Sequence, residues 1–353
     1  MTLILRCFEM RISSLLIFVV AVLLLASCVA PVVTSTATAT IAPTPTSGVD
    51  SCLSTAKTYK PGSLPPGRIV FTCFVDANQT INVYLFDATT GKISNLTKHP
   101  SINDGAHWSP NGNKITFHSN RNNRSGAYVM NADGGELSWL VYGGNPRWSP
   151  DERYLAFTRE GGLYVMKGDE KQQTRLSDDL AVLGQKAWSP DSSSLAFVVK
   201  PSGIHTIRVD GTQEITLTNY AADFGDIVWS SDGDYIYFLS AHSGPLELYR
   251  VEAAGGQPIR LAAAQQYIDT FALSPDGRQV AFRDSKKVYV MNSDGGQIRQ
   301  LLDTYPNHLS WSPDGQYLAF ATEQLAVVKI DSGQIITLTD TAAFVDYPEW
   351  SPK

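Results

Sequence analysis

Trp311-Ser312-Pro313-Asp314-Gly315 decides the fold, because the chain keeps returning to it. The stretch recurs as Trp108-Ser109-Pro110-Asn111-Gly112, Trp148-Ser149-Pro150-Asp151 and Trp188-Ser189-Pro190-Asp191. It recurs again as Trp229-Ser230-Ser231-Asp232-Gly233 and Leu273-Ser274-Pro275-Asp276-Gly277, and the chain ends on Trp350-Ser351-Pro352. Successive copies stand 40, 40, 41, 44, 38 and 39 residues apart. A period near forty residues belongs to propellers, solenoids and arrays.

The register inside each unit selects among these. Alternating apolar pairs follow each anchor: Ile115/Phe117, Leu155/Phe157, Leu195/Phe197, Ile236/Phe238, Val280/Phe282 and Leu318/Phe320. Such β-branched and aromatic alternation reads as a strand with one face in a core. The Pro-Asp-Gly ahead of it is a turn: proline presets φ, Asp tolerates the second corner, and Gly takes a positive φ. A third strand follows, as in Leu163-Tyr164-Val165-Met166 and Val288-Tyr289-Val290-Met291, and ends in turns such as Asn292-Ser293-Asp294-Gly295-Gly296. A short fourth strand closes the unit, as in Ile215-Thr216-Leu217-Thr218 and Ile336-Thr337-Leu338-Thr339. Four strands per forty residues make a propeller blade.

The Trp-Ser-Pro-Asp-Gly stretch followed by Leu-Ala-Phe, with the Tyr-Val-Met-Asn-x-Asp-Gly-Gly turn, resembles the TolB-type β-propeller repeat. It is also similar to the propellers attached to prolyl oligopeptidase-like peptidases. The resemblance runs from about Arg68 to the C-terminus. It implies an all-β, closed β-propeller, and it leaves function open, because one fold hosts many functions. The unit that starts near Arg68 lacks an anchor, while Phe344 to Trp350 is an anchor strand with no blade after it. Together the two halves complete one blade, so the expected ring has seven blades and is closed by the C-terminal strand. The namesake of the repeat has six. Closure removes the exposed edges of an open array.

Before the repeats, the expected order is a signal peptide over 1–27, a tether over 28–50 and the propeller over 51–353. Leu15 to Leu25 is apolar, follows Arg11 and ends at Leu25-Ala26-Ser27-Cys28. The run is short for a membrane-spanning helix, which needs roughly 20 residues. Small residues before a cysteine resemble the bacterial lipobox, which implies that Cys28 carries lipid and begins the mature chain. Met10 is an alternative start to Met1. The Thr/Ala/Pro/Ser stretch up to Val49 has little to bury and is expected to be disordered; extended, it reaches roughly 70 Å. Cys52 and Cys73 remain as an even pair in an exported chain. A disulfide between them pins the incoming segment onto the first blade; two free thiols are the alternative.

Hydrophobic content of 43% suffices for a core, and the formal net charge of −6 comes without a basic stripe. Nucleic acid, which demands phosphate neutralisation, is excluded as a partner. No Gly-x-Ser-x-Gly elbow, His-Glu-x-x-His or phosphate loop occurs, and no cofactor is expected. The six histidines, His99, His107, His118, His205, His242 and His308, are scattered over different blades, where a lone histidine is chiefly structural. The Trp anchors and the turn Asp residues are read as structural too.

Recognition is expected where the inner strands begin and the loops between second and third strands meet. There Asp104, Asn145, Gln185, Asp226, Asp269, His308, Asp346 and Tyr347 differ from blade to blade, and Arg121, Arg124, Arg159, Arg283 and Asp284 add charge. The bland alternative is a solvated channel mouth. A cation held by Asp104, Asp269 and Asp346 would need their blades to be adjacent. The expectation is a monomeric, non-catalytic propeller, lipid-anchored to the bacterial envelope, that recognises an envelope protein, peptide or glycan. A polysaccharide lyase or hydrolase with its site at the channel mouth is the rival.

Overall fold

The computed structural model describes residues 51–53, 55–56, 58–74, 80–168, 172–177, 182–200, 203–219, 227–263, 265–340 and 344–352. The expected signal peptide, Cys28 and the expected tether lie outside them. Seven four-stranded antiparallel sheets follow one another around a ring. The first is assembled from both ends of the propeller: Val345–Trp350 pairs with Arg68–Phe74, which pairs with Ile81–Asp87 and then Ile93–Asn95. The other six blades are contiguous in sequence. Their inner strands are Asn103–Trp108, Gly144–Trp148, Val182–Trp188, Ile227–Trp229, Ile268–Leu273 and Leu309–Trp311, in blades two to seven. Among the described residues the only helical pieces are the short turns Ser51–Leu53 and Arg121–Asn123.

The anchor motif is wired as its residue types demand. In blade seven the Ser312 hydroxyl donates to Asp314 Oδ1 at 2.6 Å and accepts the Tyr317 N–H at 2.9 Å. The same Asp oxygen accepts the Gln316 N–H at 3.0 Å. Blade six repeats this with Ser274, Asp276, Arg278 and Gln279. Glycine takes the left-handed corner at Gly277 and Gly315, φ 70° and 69°. Blades three and four put Glu152 and Ser192 there, at φ 61° and 63°.

The core is a ring of seven apolar layers, each shared by two neighbouring blades. The tryptophans lie in these layers, as expected of large rings repeated at blade period. Trp311, for example, packs with Ala281, Val288 and Val290 of the preceding blade. Indole N–H groups add cross-blade hydrogen bonds: Trp108 to Glu349 O at 3.1 Å, Trp188 to Arg147 O and Trp311 to Ala272 O, both at 3.0 Å. Within blades, a second-strand Phe stacks on the third-strand residue opposite it, as in Phe117–Tyr128 and Phe282–Tyr289. His205 fills that tyrosine slot against Phe197 and meets Glu214 at 2.9 Å, so it is a structural residue.

Cys52 and Cys73 are joined. The disulfide ties the incoming segment to blade one, and the next residues reach blade seven: Ala56 N–H donates to Leu338 O at 2.9 Å, and Thr55 bridges Thr339. Tyr59 then hydrogen-bonds the Ala88 carbonyl of blade one. The segment thus clasps the two blades between which the ring closes, a wider role than the single-blade pin expected from sequence.

Candidate functional site

Antiparallel pairing places the start of each inner strand beside the end of the second strand, as in Asp104 opposite His118. This defines one face of the ring, the mouth face. The Trp-Ser-Pro turns lie on the other, the turn face. Just before several anchors the inner strands carry a bulge, between Asp104 and His107, Gly144 and Arg147, and Val182 and Lys186. A bulge bends a strand and re-aims its side chains. Three residues before the anchor, Gly105, Asn145 and Tyr347 take φ 59°, 55° and 50°. For a tyrosine that conformation costs roughly 1–3 kcal/mol and persists only where surroundings fix it. Here Tyr347 donates its N–H to Asp346 Oδ1 at 2.8 Å and stacks on His308, centroids 3.8 Å apart.

Of the eight residues expected at the mouth, four come together on blades six, seven and one. His308 Nδ1 lies 2.6 Å from Asp346 Oδ1, across the seam between blades seven and one. Asp269 accepts from Nε and Nη2 of Arg283, whose Nη1 donates to Pro306 O, two residues before His308. The Tyr305 ring covers that guanidinium at 3.9 Å, and the Tyr267 and Tyr305 hydroxyls meet at 3.1 Å. That hydroxyl contact, with burial, pushes Tyr267 up to about 12. Tyr267 and Tyr305 are exposed, whereas Arg283 beneath them is buried. The result is a polar and aromatic surface in which Asp269 and Arg283 pair within blade six and His308 and Asp346 pair across the seam.

Two of the remaining four stand apart. Asp104 meets His118 Nδ1 at 3.3 Å on blade two, and Asn145 lies on blade three. Gln185 belongs to the inner strand of blade four, but its side chain is outside the described set, as is all of Asp226. Besides Arg283, two charges assigned to the mouth loops are internal. Arg121 is buried, donating to Asn103 Oδ1 at 2.7 Å under Phe117 and Tyr128. Asp284 is buried and accepts the Gln265 N–H at 2.6 Å. Among the described residues no three His, Cys, Asp or Glu side chains are grouped to share a metal ion.

Sequence reasoning missed a charged cluster in the channel. One residue before each anchor stand His107, Arg147, Ala187, Val228, Ala272, Ser310 and Glu349, all partly exposed. His107 Nδ1 lies 2.6 Å from Glu349 Oε2, and Glu349 Oε1 accepts the Trp108 N–H at 3.2 Å. Burial alone would raise the Glu349 carboxyl; His107 and Arg147 outweigh it and hold it below its ordinary value. Burial and the Arg147 charge push His107 down. Burial, aided by Arg147, also drives Lys186 well below its ordinary value. The signal was available for Lys186: its position, two before the anchor, holds Ala106, Pro146, Ile227, Phe271, Leu309 and Pro348 in the other blades.

Comparison with known proteins gives the following. The family described as TolB beta propeller domain matches residues 51–178 and 145–353. A curated relative, the uncharacterized peptidase YuxL of Bacillus subtilis, is 30% identical over 119 residues, which is 30% of this chain and 18% of that protein's length. Among solved structures, TolB from Acinetobacter baumannii superposes with a TM-score of 0.58 at 21% identity, over 81% of this chain and 67% of that one. An oligogalacturonate lyase from Vibrio parahaemolyticus gives 0.58 at 14% identity, over 78% and 86%. At these identities the structural likenesses speak to fold alone.

Proposed function

The chain belongs to the TolB beta propeller domain family, and from that premise we propose that it is a non-catalytic recognition module of the bacterial envelope, binding a protein, peptide or glycan through its mouth face. The observation that carries the reading is the cross-seam pair His308–Asp346 with Tyr347 stacked on it. With Asp269–Arg283 and the exposed Tyr267 and Tyr305, it forms a preorganised surface. Tyrosines held this way offer contact area at little entropic cost. The Cys52–Cys73 disulfide supports maturation in an oxidising compartment. Cys28 would supply the lipid anchor, and the segment up to Val49 the tether.

Single Asp269→Ala, His308→Ala and Asp346→Ala variants test the site through crosslinked capture of partners from intact cells, with melting temperature as control. Lost capture at unchanged melting supports it; normal capture by all three removes it. For the anchor, Cys28→Ala should release the protein from membranes, and unchanged partitioning into detergent would refute lipidation.

The same pair favours a second reading. A histidine oriented by a carboxylate at 2.6 Å is equipped to abstract a proton, as an envelope polysaccharide lyase or hydrolase requires. Ultraviolet absorbance of unsaturated products, or release of reducing ends, distinguishes this from binding alone.

A further inference from the structure

A concavity of the propeller opens on the turn face, away from the mouth. It is a well of about 670 Å³, within the range on the order of 300–1,000 Å³ typical of ligand sites. Its wall is apolar: Trp108, Trp311 and Trp350, with Pro110, Pro275, Pro313 and Pro352. Its polar lining includes two carboxylates, Asp276 and Glu349, and no cationic side chain among the described residues. A smaller shelf of about 200 Å³ shares Trp350, Pro313 and Pro352 with it and runs between blades seven and one along Pro65, Pro66 and Gly67. The shelf adds the carboxylate of Asp314 and again no cation.

Two further observations narrow the occupant. The well's carboxylates are ionised at neutral pH: the Ser274 hydroxyl and the Arg278 N–H hold Asp276 below its ordinary value, and Glu349 is low for the reasons given above. Glu349 meets His107 through Oε2 and the Trp108 N–H through Oε1, and a third of its side chain is exposed. Trp108 and Trp311 donate their indole N–H groups to neighbouring carbonyls. Trp350, only 5% exposed, keeps its N–H without an acceptor. That N–H is closed to solvent, as is the N–H of Trp148, and so is not a contact for an occupant of the well. The protein already seats one guanidinium on this rim: Arg68 lies 4.8 Å over the Trp108 ring and donates to Gly112 O at 2.8 Å. Among the described residues Arg68, Arg147 and Arg278 are nearby cations, and none of them lines the well.

We infer that the turn-face well is a second binding site, which takes an arginine or lysine side chain presented by an extended peptide. The aliphatic stem lies against indole and proline walls while the charged head meets Glu349 and Asp276. The shelf accommodates the flanking residues, and extended proline-bearing segments suit grooves walled by aromatics. This site is independent of the mouth face.

The test titrates the intact exported protein with acetyl-Pro-Arg-Pro-amide and with its citrulline counterpart, which has the same shape without charge. Tryptophan fluorescence and calorimetry report binding. The arginine peptide should bind roughly tenfold or more tightly than the citrulline peptide, and weaken as salt rises. Glu349→Gln and Asp276→Asn should each remove most of that preference, while Asp346→Ala and His308→Ala leave it intact. Equal binding of the two peptides, or no binding of either at about millimolar concentration, overturns the proposal. So does loss of binding in the mouth-face variants. If Glu349→Gln fails to fold, the comparison of peptides on the unaltered protein decides.

Discussion

Arg68 and Ser351, 283 residues apart, exchange two hydrogen bonds: Ser351 N–H to Arg68 O at 2.7 Å, and Arg68 N–H to Ser351 Oγ at 3.1 Å. Beside them Ile69 faces Trp350 in the ladder that closes the ring. Removing residues 344–353 would strip blade one of its inner strand, expose an unpaired edge and empty the space Trp350 fills beside Gly67. The expected outcome is aggregation or a large fall in melting temperature. A truncated protein that melts like the full one would contradict closure by this strand.

The disulfide acts at the same seam. Cys52 and Cys73 are 21 residues apart, and a loop of that size is worth about 3 kcal/mol in the chain-entropy picture. Cys52→Ser with Cys73→Ser should lower stability by about that amount. It should also raise hydrogen exchange at the Ala56 amide, which Leu338 O otherwise protects. If exchange rises nowhere near residues 55–59, the segment is held by its other contacts and the bond is redundant.

The fold was legible because its signals are local. Trp-Ser-Pro-Asp-Gly writes its own turn through Ser312 and Asp314, and period-two strands follow it. Closure was legible from two incomplete units at opposite ends. The mouth was legible only as a set of positions. That His308 would reach Asp346 and Asp269 would be held by Arg283 depends on which blades adjoin and on bulges that turn Tyr347 and Asn145 to positive φ. His107 and Glu349 were out of reach for the same reason: 242 residues separate them, and only ring closure makes them neighbours.

The His107 environment sets a pH dependence. Burial, then Arg147, and more weakly Lys186, hold His107 below its ordinary 6.5, against the opposite pull of Glu349. The unfolded chain therefore takes up the proton first as pH falls. The contribution of His107 to stability is complete above about pH 6.5 and is lost as pH drops from there through the folded-state value. Glu349, also low, adds a further loss at more acid pH. Replacing His107 with Gln should flatten the plot of melting temperature against pH as pH falls below about 6.5. An unchanged slope would assign the acid sensitivity to other groups.

Blade three offers a sharper test of how the turns communicate. Glu152 occupies the corner that glycine takes in blades six and seven, at φ 61°. Its carboxylate accepts the Asn111 N–H at 2.6 Å and the Asn111 side-chain amide at 2.7 Å, tying the turn of blade three to that of blade two. The side chain thus offsets a backbone conformation that favours glycine. Glu152→Ala loses both bonds and keeps the strain, and should destabilise by about 1–2 kcal/mol. Glu152→Gly loses the same bonds but relieves the corner, and should be the milder variant by about 1 kcal/mol. Urea melts of the three proteins give the order. If alanine proves the milder change, the left-handed corner carries no strain here, and Glu152 is held there by something other than its link to Asn111.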